Sequence, residues 1–189
     1  MIKNTFIKIR LFITGIVAVG IWSLLLWDYY HGGVPSHHML HQEDLPAISN
    51  WWGGLLLPLL TFFLTYRVQK RIISDKDNKS NHLKLLTNYI YSFIFALFFG
   101  ILLSVFFTHG YSDLSGYMIY GLFLLALFFP IYRAEYLLGF VIGMTYTIGA
   151  VLPSIVGAIF ALIGFVIYQY VRTVIIFIIR KIISLVSPD

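Results

Sequence analysis

The sequence contains no cysteine, which excludes disulfides, thiolate metal sites and cysteine nucleophiles. It is also poor in charge: 11% of its 189 residues are Asp, Glu, Lys or Arg, against about 25% in a soluble domain. Acidic groups are the scarcest, eight against thirteen Lys and Arg, for a net charge of +5. With 59% of residues hydrophobic, too little polar surface remains to cover a water-soluble globule. No phosphate-cradling P-loop is present, nor any pair of matching broken halves, which argues against an ATPase or an inverted-repeat carrier. No Asp, Glu, Lys, Arg or His falls near the middle of an apolar run, so the usual charge relay of an ion-coupled transporter is missing. A hydrophobic gate or passive pore stays open.

What the chain does have is long apolar runs: Leu11–Trp27, Trp51–Tyr66, Leu85–Phe107, Leu114–Tyr132, Glu135–Leu152 and Ser154–Ile179. The last two have no charged loop between them. A single helix from Glu135 to Arg180 would run about 69 Å at about 1.5 Å per residue. A hydrocarbon core is about 30 Å thick, so the chain is expected to turn back. Gly149 and Pro153 mark that turn, one freeing the backbone and the other ending a helix. The expected fold class is all-α: a polytopic membrane bundle of six transmembrane helices forming a single domain over residues 1–189.

The basic residues orient it. Lys3, Lys8 and Arg10 precede the first run, and Arg67, Lys70, Arg71, Lys76, Lys79 and Lys84 lie between the second and third. Arg133 separates the fourth from the fifth, while Arg172, Arg180 and Lys181 close the chain. Six spans put all thirteen on one side, and the positive-inside rule makes that side cytoplasmic, with both termini inside. The chain is therefore expected in the inner membrane, with membrane lipids as partners. Nucleic acid is not expected, because the positive charges flank hydrophobic spans and no recognition module is visible. The basic start followed by an apolar stretch resembles a signal peptide, but Asp28-Tyr29-Tyr30-His31 offers no small-x-small cleavage site. It reads as an uncleaved first helix. Trp22, Trp27, Trp51 and Trp52 suit the outer headgroup level.

Chemistry concentrates in the first outer connection, Asp28 to Asn50. His31, His37, His38 and His41 lie there and His109 in the next outer loop, with Asp28, Glu43, Asp44 and Asp113 on the same side and no Lys or Arg. Imidazole and carboxylate are the ligands that zinc and related metals use. Gly32, Gly33 and Pro35 predict a turn, and Ser36 an N-cap for a short His-rich helix beginning at His37. On that helix His37, His41 and Asp44 would share one face as metal ligands, with His31 or His109 supplementary. Glu43 or Asp113 would serve as acid or base for hydrolysis by a metal-activated water. Against this stands the plainer expectation of a structural or pH-responsive loop, since His-x-x-x-His spacing arises by chance and position 38 is His rather than the Glu of His-Glu-x-x-His.

Further along, Ser49 or Asn50 is the expected cap of the second helix. Ser104 and His109 are five residues apart across a helix end, a spacing that permits a nucleophile–base pair without implying one, and a backbone bond for Ser104 is the ordinary expectation. Gly139-x-x-x-Gly143 predicts close helix packing.

The segment from Glu43 through Ile48-Ser49-Asn50 into an apolar run with Pro58, followed by a helix ending Ser104…His109, is similar to alkaline ceramidases, which are membrane zinc amidases. The resemblance covers about the middle third of the chain and implies a lipid-directed metal hydrolase. That family has seven spans, a Ser–His spacing one residue shorter, and a C-terminal His-x-x-x-His without counterpart after His109. The expected function is metal-dependent hydrolysis of a lipid or amphiphile. The alternatives are a cation- or solute-binding transport component, or a structural subunit that docks a partner or a second copy.

Overall fold

The computed structural model describes residues 2–38, 47–74 and 79–186. Among the described residues, one small ribbon aside, the regular structure is helical: α1 (Ile2–Tyr30), α2 (Gly53–Ser74), α3 (Lys79–Thr108), α4 (Ser112–Leu125), α5 (Ala134–Ile148) and α6 (Val151–Val166). A π-turn, Ile167–Val171, carries α6 without a break into α7 (Arg172–Val186). Among the described residues, three segments are long and apolar enough to cross a membrane: Thr5–Tyr30, Lys84–Thr108 and Val151–Ser184. Their surfaces stay apolar where exposed, as at Phe12, Val19, Phe98 and Leu162, each at least 60% accessible. Continuous apolar surface of that extent marks a membrane or partner-facing protein.

Helix boundaries follow local chemistry. Past α1, Gly32 and Gly33 adopt φ of 127° and 98°, values that favour glycine, and the Gly33 amide donates to the Asp28 carbonyl at 2.9 Å. α4 stops at Leu125, short of the expected Tyr132, because Pro130 cannot continue a helix and biases Phe129 out of it. With 14 residues α4 is about 21 Å long, and α5, with 15, about 22 Å. Gly149 ends α5 at φ 75°, and the Asn50 amide occupies the place a Cβ would take. Pro153, expected to end a helix, instead lies in the first turn of α6, where its missing N–H costs nothing.

The core is built on α5, whose buried positions include Leu138, Gly139, Phe140, Val141, Gly143 and Met144. Its closest neighbour is α3. A Cβ at Gly139 would strike the Phe93 carbonyl, one at Gly143 the Leu97 carbonyl, and one at Gly100 would stand 2.6 Å from the Phe140 carbonyl. The expected small-residue face is therefore a backbone-on-backbone crossing. α1 packs along α2, which also meets α5, while α6 packs mainly on α5.

From α1 to α6 successive helices run antiparallel, giving the bundle two chemically distinct ends. One end gathers the start of α1, the close of α2 and the starts of α3 and α5: Gln69 donates to the Phe6 carbonyl at 2.6 Å, and Arg71 reaches both Tyr89 and Glu135. Gln169, in the π-turn that follows α6, donates there to the Tyr132 hydroxyl at 3.1 Å. This basic end holds Lys8, Arg10, Arg67, Lys70, Arg71, Arg133 and Arg172. The other, the histidine end, carries the four tryptophans, with Trp22 and Trp51 at 6.1 Å between ring centres.

Candidate functional site

At the histidine end the chain leaves α1 and forms a two-stranded antiparallel ribbon, β1 (Ser36–His38) and β2 (Ala47–Ser49). Ser36 pairs with Ser49, His37 with Ile48 and His38 with Ala47, and the Asn50 amide donates to the Pro35 carbonyl at 3.1 Å. The expected helix starting at His37 is thereby corrected. Ser36 opens a strand, not a helix, because the downstream strand Ala47–Ser49 satisfies the backbone of Ser36–His38. Ser49 does cap the next element as expected, its hydroxyl accepting from the Trp51 amide at 3.4 Å ahead of the 3₁₀ turn Asn50–Trp52. His41, Glu43 and Asp44 lie outside the described residues.

His31 sits at the exit of α1, its ring stacked on Trp27 at 3.8 Å between centroids. Its Nδ1 is 2.8 Å from the Trp27 carbonyl, and His109 repeats the pattern on α3, with Nδ1 2.8 Å from the Val105 carbonyl. Both rings thus favour the tautomer with Nδ1–H donating to backbone, which leaves Nε2 as a lone-pair donor. Metal-ligating histidines are oriented by that type of bond. Asp113 occupies the first turn of α4. Among the described residues, no three His, Asp or Glu side chains converge on a metal-sized centre, so His31, His109 and Asp113 do not form a site by themselves.

The Ser104–His109 pair is not made. Ser104, 1% accessible, bonds across the α3–α5 crossing to the Thr147 hydroxyl, and the His109 ring nitrogen is turned to its own helix. Neither a backbone bond for Ser104 nor a nucleophile role was needed to bury it: two hydroxyls satisfy each other between helices. Thr145 bonds to the Val141 carbonyl at 2.7 Å and Tyr146 is exposed, so these neighbours of Thr147 line no common polar cavity.

At the basic end the structure holds a pair that pattern reading passed over. Glu135, 4% accessible in the first turn of α5, accepts from Arg71 of α2, with Nη2–Oε2 at 2.5 Å and Nη1–Oε1 at 3.4 Å. Arg71 also lies 5.4 Å from the Tyr89 ring centre. A carboxylate opening an apolar helix beside Arg133 was the available signal, but its partner stands 64 positions away. Nearby, the Arg10 guanidinium lies over the Phe62 and Tyr66 rings at 4.2 and 5.2 Å. No protein-family model, curated protein or solved structure matches this chain.

Proposed function

We propose that this is a six-span inner-membrane protein, with both termini cytoplasmic, that binds a divalent transition metal, zinc foremost, at its outer face. The alternating helix directions and the segregation of Arg and Lys to one end support that topology. His37, His41 and Asp44 are the proposed ligands, with His31 or His109 supplementary.

The observation that carries the metal site is the ribbon. Pairing Ser36–His38 with Ala47–Ser49 ties together the two ends of segment 39–46. His41, Glu43 and Asp44 all belong in sequence to that eight-residue segment. The orientation of the His31 ring by the Trp27 carbonyl supports a ligand role beside it.

The test is a titration of chelator-treated protein with cobalt(II), followed by visible absorption. Ligand-field bands that saturate near one equivalent and vanish in His37→Ala/His41→Ala support the site, and their absence overturns it. Glu43 and Asp113 are the carboxylates available as acid or base for hydrolysing a lipid or amphiphile. Lipid turnover in vesicles that Glu43→Gln or Asp113→Asn abolishes identifies the hydrolase. Metal retention without turnover identifies a binding or transport component.

A further inference from the structure

A cleft of about 490 Å³ opens between α2 and α5 at the basic end. Phe63, Arg67 and Arg71 of α2 form one wall, Leu137 of α5 the other, with Tyr132 and Arg133 at the turn that leads into α5. Phe63, Arg67 and Arg71 follow at four-residue intervals, so they form a single stripe along the helix.

Three guanidiniums meet one carboxylate here. Arg71 is committed to Glu135, whereas Arg67 and Arg133 have no hydrogen-bonding or ionic side-chain partner among the described residues. The cleft is left with two uncompensated positive charges, one on exposed Arg67 and one on half-buried Arg133. Guanidiniums gathered in a walled cleft concentrate a positive potential and match the planar, bidentate demands of a phosphate. Arg71 keeps further N–H donors beyond the two that Glu135 accepts, and its fork is already held in place.

The rest of the surface selects among phosphates. Moving from Arg67 along the same stripe towards the histidine end, the next residues are Phe63 and Leu59, 56% and 57% exposed. Leu137 lines the cleft together with Phe63. A free phosphate has no use for an apolar track directly beneath its binding groups, but the chain of a phospholipid does. Basic clefts between membrane helices are suited to anionic headgroups for the same reason.

We propose that this cleft binds the phosphate of an anionic phospholipid, gripped by Arg67 and Arg133, with Arg71 as a third donor positioned by Glu135. The proposal rests on the chain being membrane-embedded and is independent of the metal site at the other end.

The test uses the full chain purified in a neutral detergent, its unfolding temperature followed as phosphatidylglycerol, phosphatidylcholine or inorganic phosphate is added. Phosphatidylglycerol is expected to raise the midpoint saturably, while the other two have little effect at equal concentration. Arg67→Gln/Arg133→Gln should need at least about tenfold more phosphatidylglycerol for the same shift, since each basic group near a headgroup contributes several-fold. Each single variant should need about threefold more, which covers a double variant that fails to fold. Lys70→Gln removes the same charge from α2 outside the cleft and should change the requirement less than about twofold. A double variant that responds like the parent, a Lys70→Gln effect equal to Arg67→Gln, or a full shift with inorganic phosphate alone would overturn the proposal.

Discussion

The carboxylate of Glu135 and the guanidinium of Arg71 join α5 to α2 at the basic end, and their surroundings are unequal: Glu135 is 4% accessible and Arg71 34%. Removing one partner therefore has different costs. Arg71→Met leaves a buried carboxylate with no counter-charge and is expected to destabilise by about 3–5 kcal/mol. Glu135→Gln leaves an arginine that water reaches on a third of its surface, so about 1–2 kcal/mol is expected. Arg71→Met/Glu135→Leu should recover most of the loss, because a buried pair and a packed apolar replacement are near equivalents. Thermal unfolding of the three variants in detergent checks the order.

The α3–α5 crossing sets a second expectation. Gly139→Ala drives a Cβ into the Phe93 carbonyl, a backbone atom with nowhere to retreat. Overpacking of that type costs about 1–3 kcal/mol, and Gly143→Ala should behave alike. Gly121→Ala on α4 has open space around it and should be neutral or stabilising by up to about 1 kcal/mol. Equal effects at all three positions would contradict the packing described.

Ser104 and Thr147 offer a double-mutant cycle. Ser104→Ala and Thr147→Ala should be coupled by about 0.6 kcal/mol, the average for hydrogen bonds between membrane helices. Because Ser104 is spent on this contact, Ser104→Ala should leave any lipid turnover unchanged apart from its effect on folding. A selective loss of turnover at full stability would return Ser104 to the chemistry.

Topology is checked by cysteine labelling, which the natural absence of cysteine makes clean. Ser36→Cys is expected to react with an impermeant maleimide added to intact cells, and Ser184→Cys only after permeabilisation. The reverse pattern would invert the bundle, and labelling of both would remove the even number of spans.

Helices were legible in the sequence because apolar runs and their breakers act locally. Gly149 divided α5 from α6 where expected, and Gly139 and Gly143 marked the face that meets α3. The end of α4 is hidden in the sequence because Phe128 and Phe129 keep the run apolar up to Pro130, so hydrophobicity masks the proline signal. The ribbon was invisible to a periodicity argument. Ser36–His38 is a strand only because Ala47–Ser49 lies beside it, and local propensity does not encode that pairing. Arg71 and Glu135 escaped for the same reason, being neighbours in space and strangers in sequence.

The most direct measurement is the ratio of metal to protein, by elemental analysis, in full-length chain purified without an affinity tag that binds metal. Near one zinc or related ion per chain is predicted, falling to background in His37→Ala/His41→Ala while both proteins unfold at similar temperatures. A parent protein with no bound metal, or a double variant that keeps the full complement, would contradict a metal site in the ribbon loop.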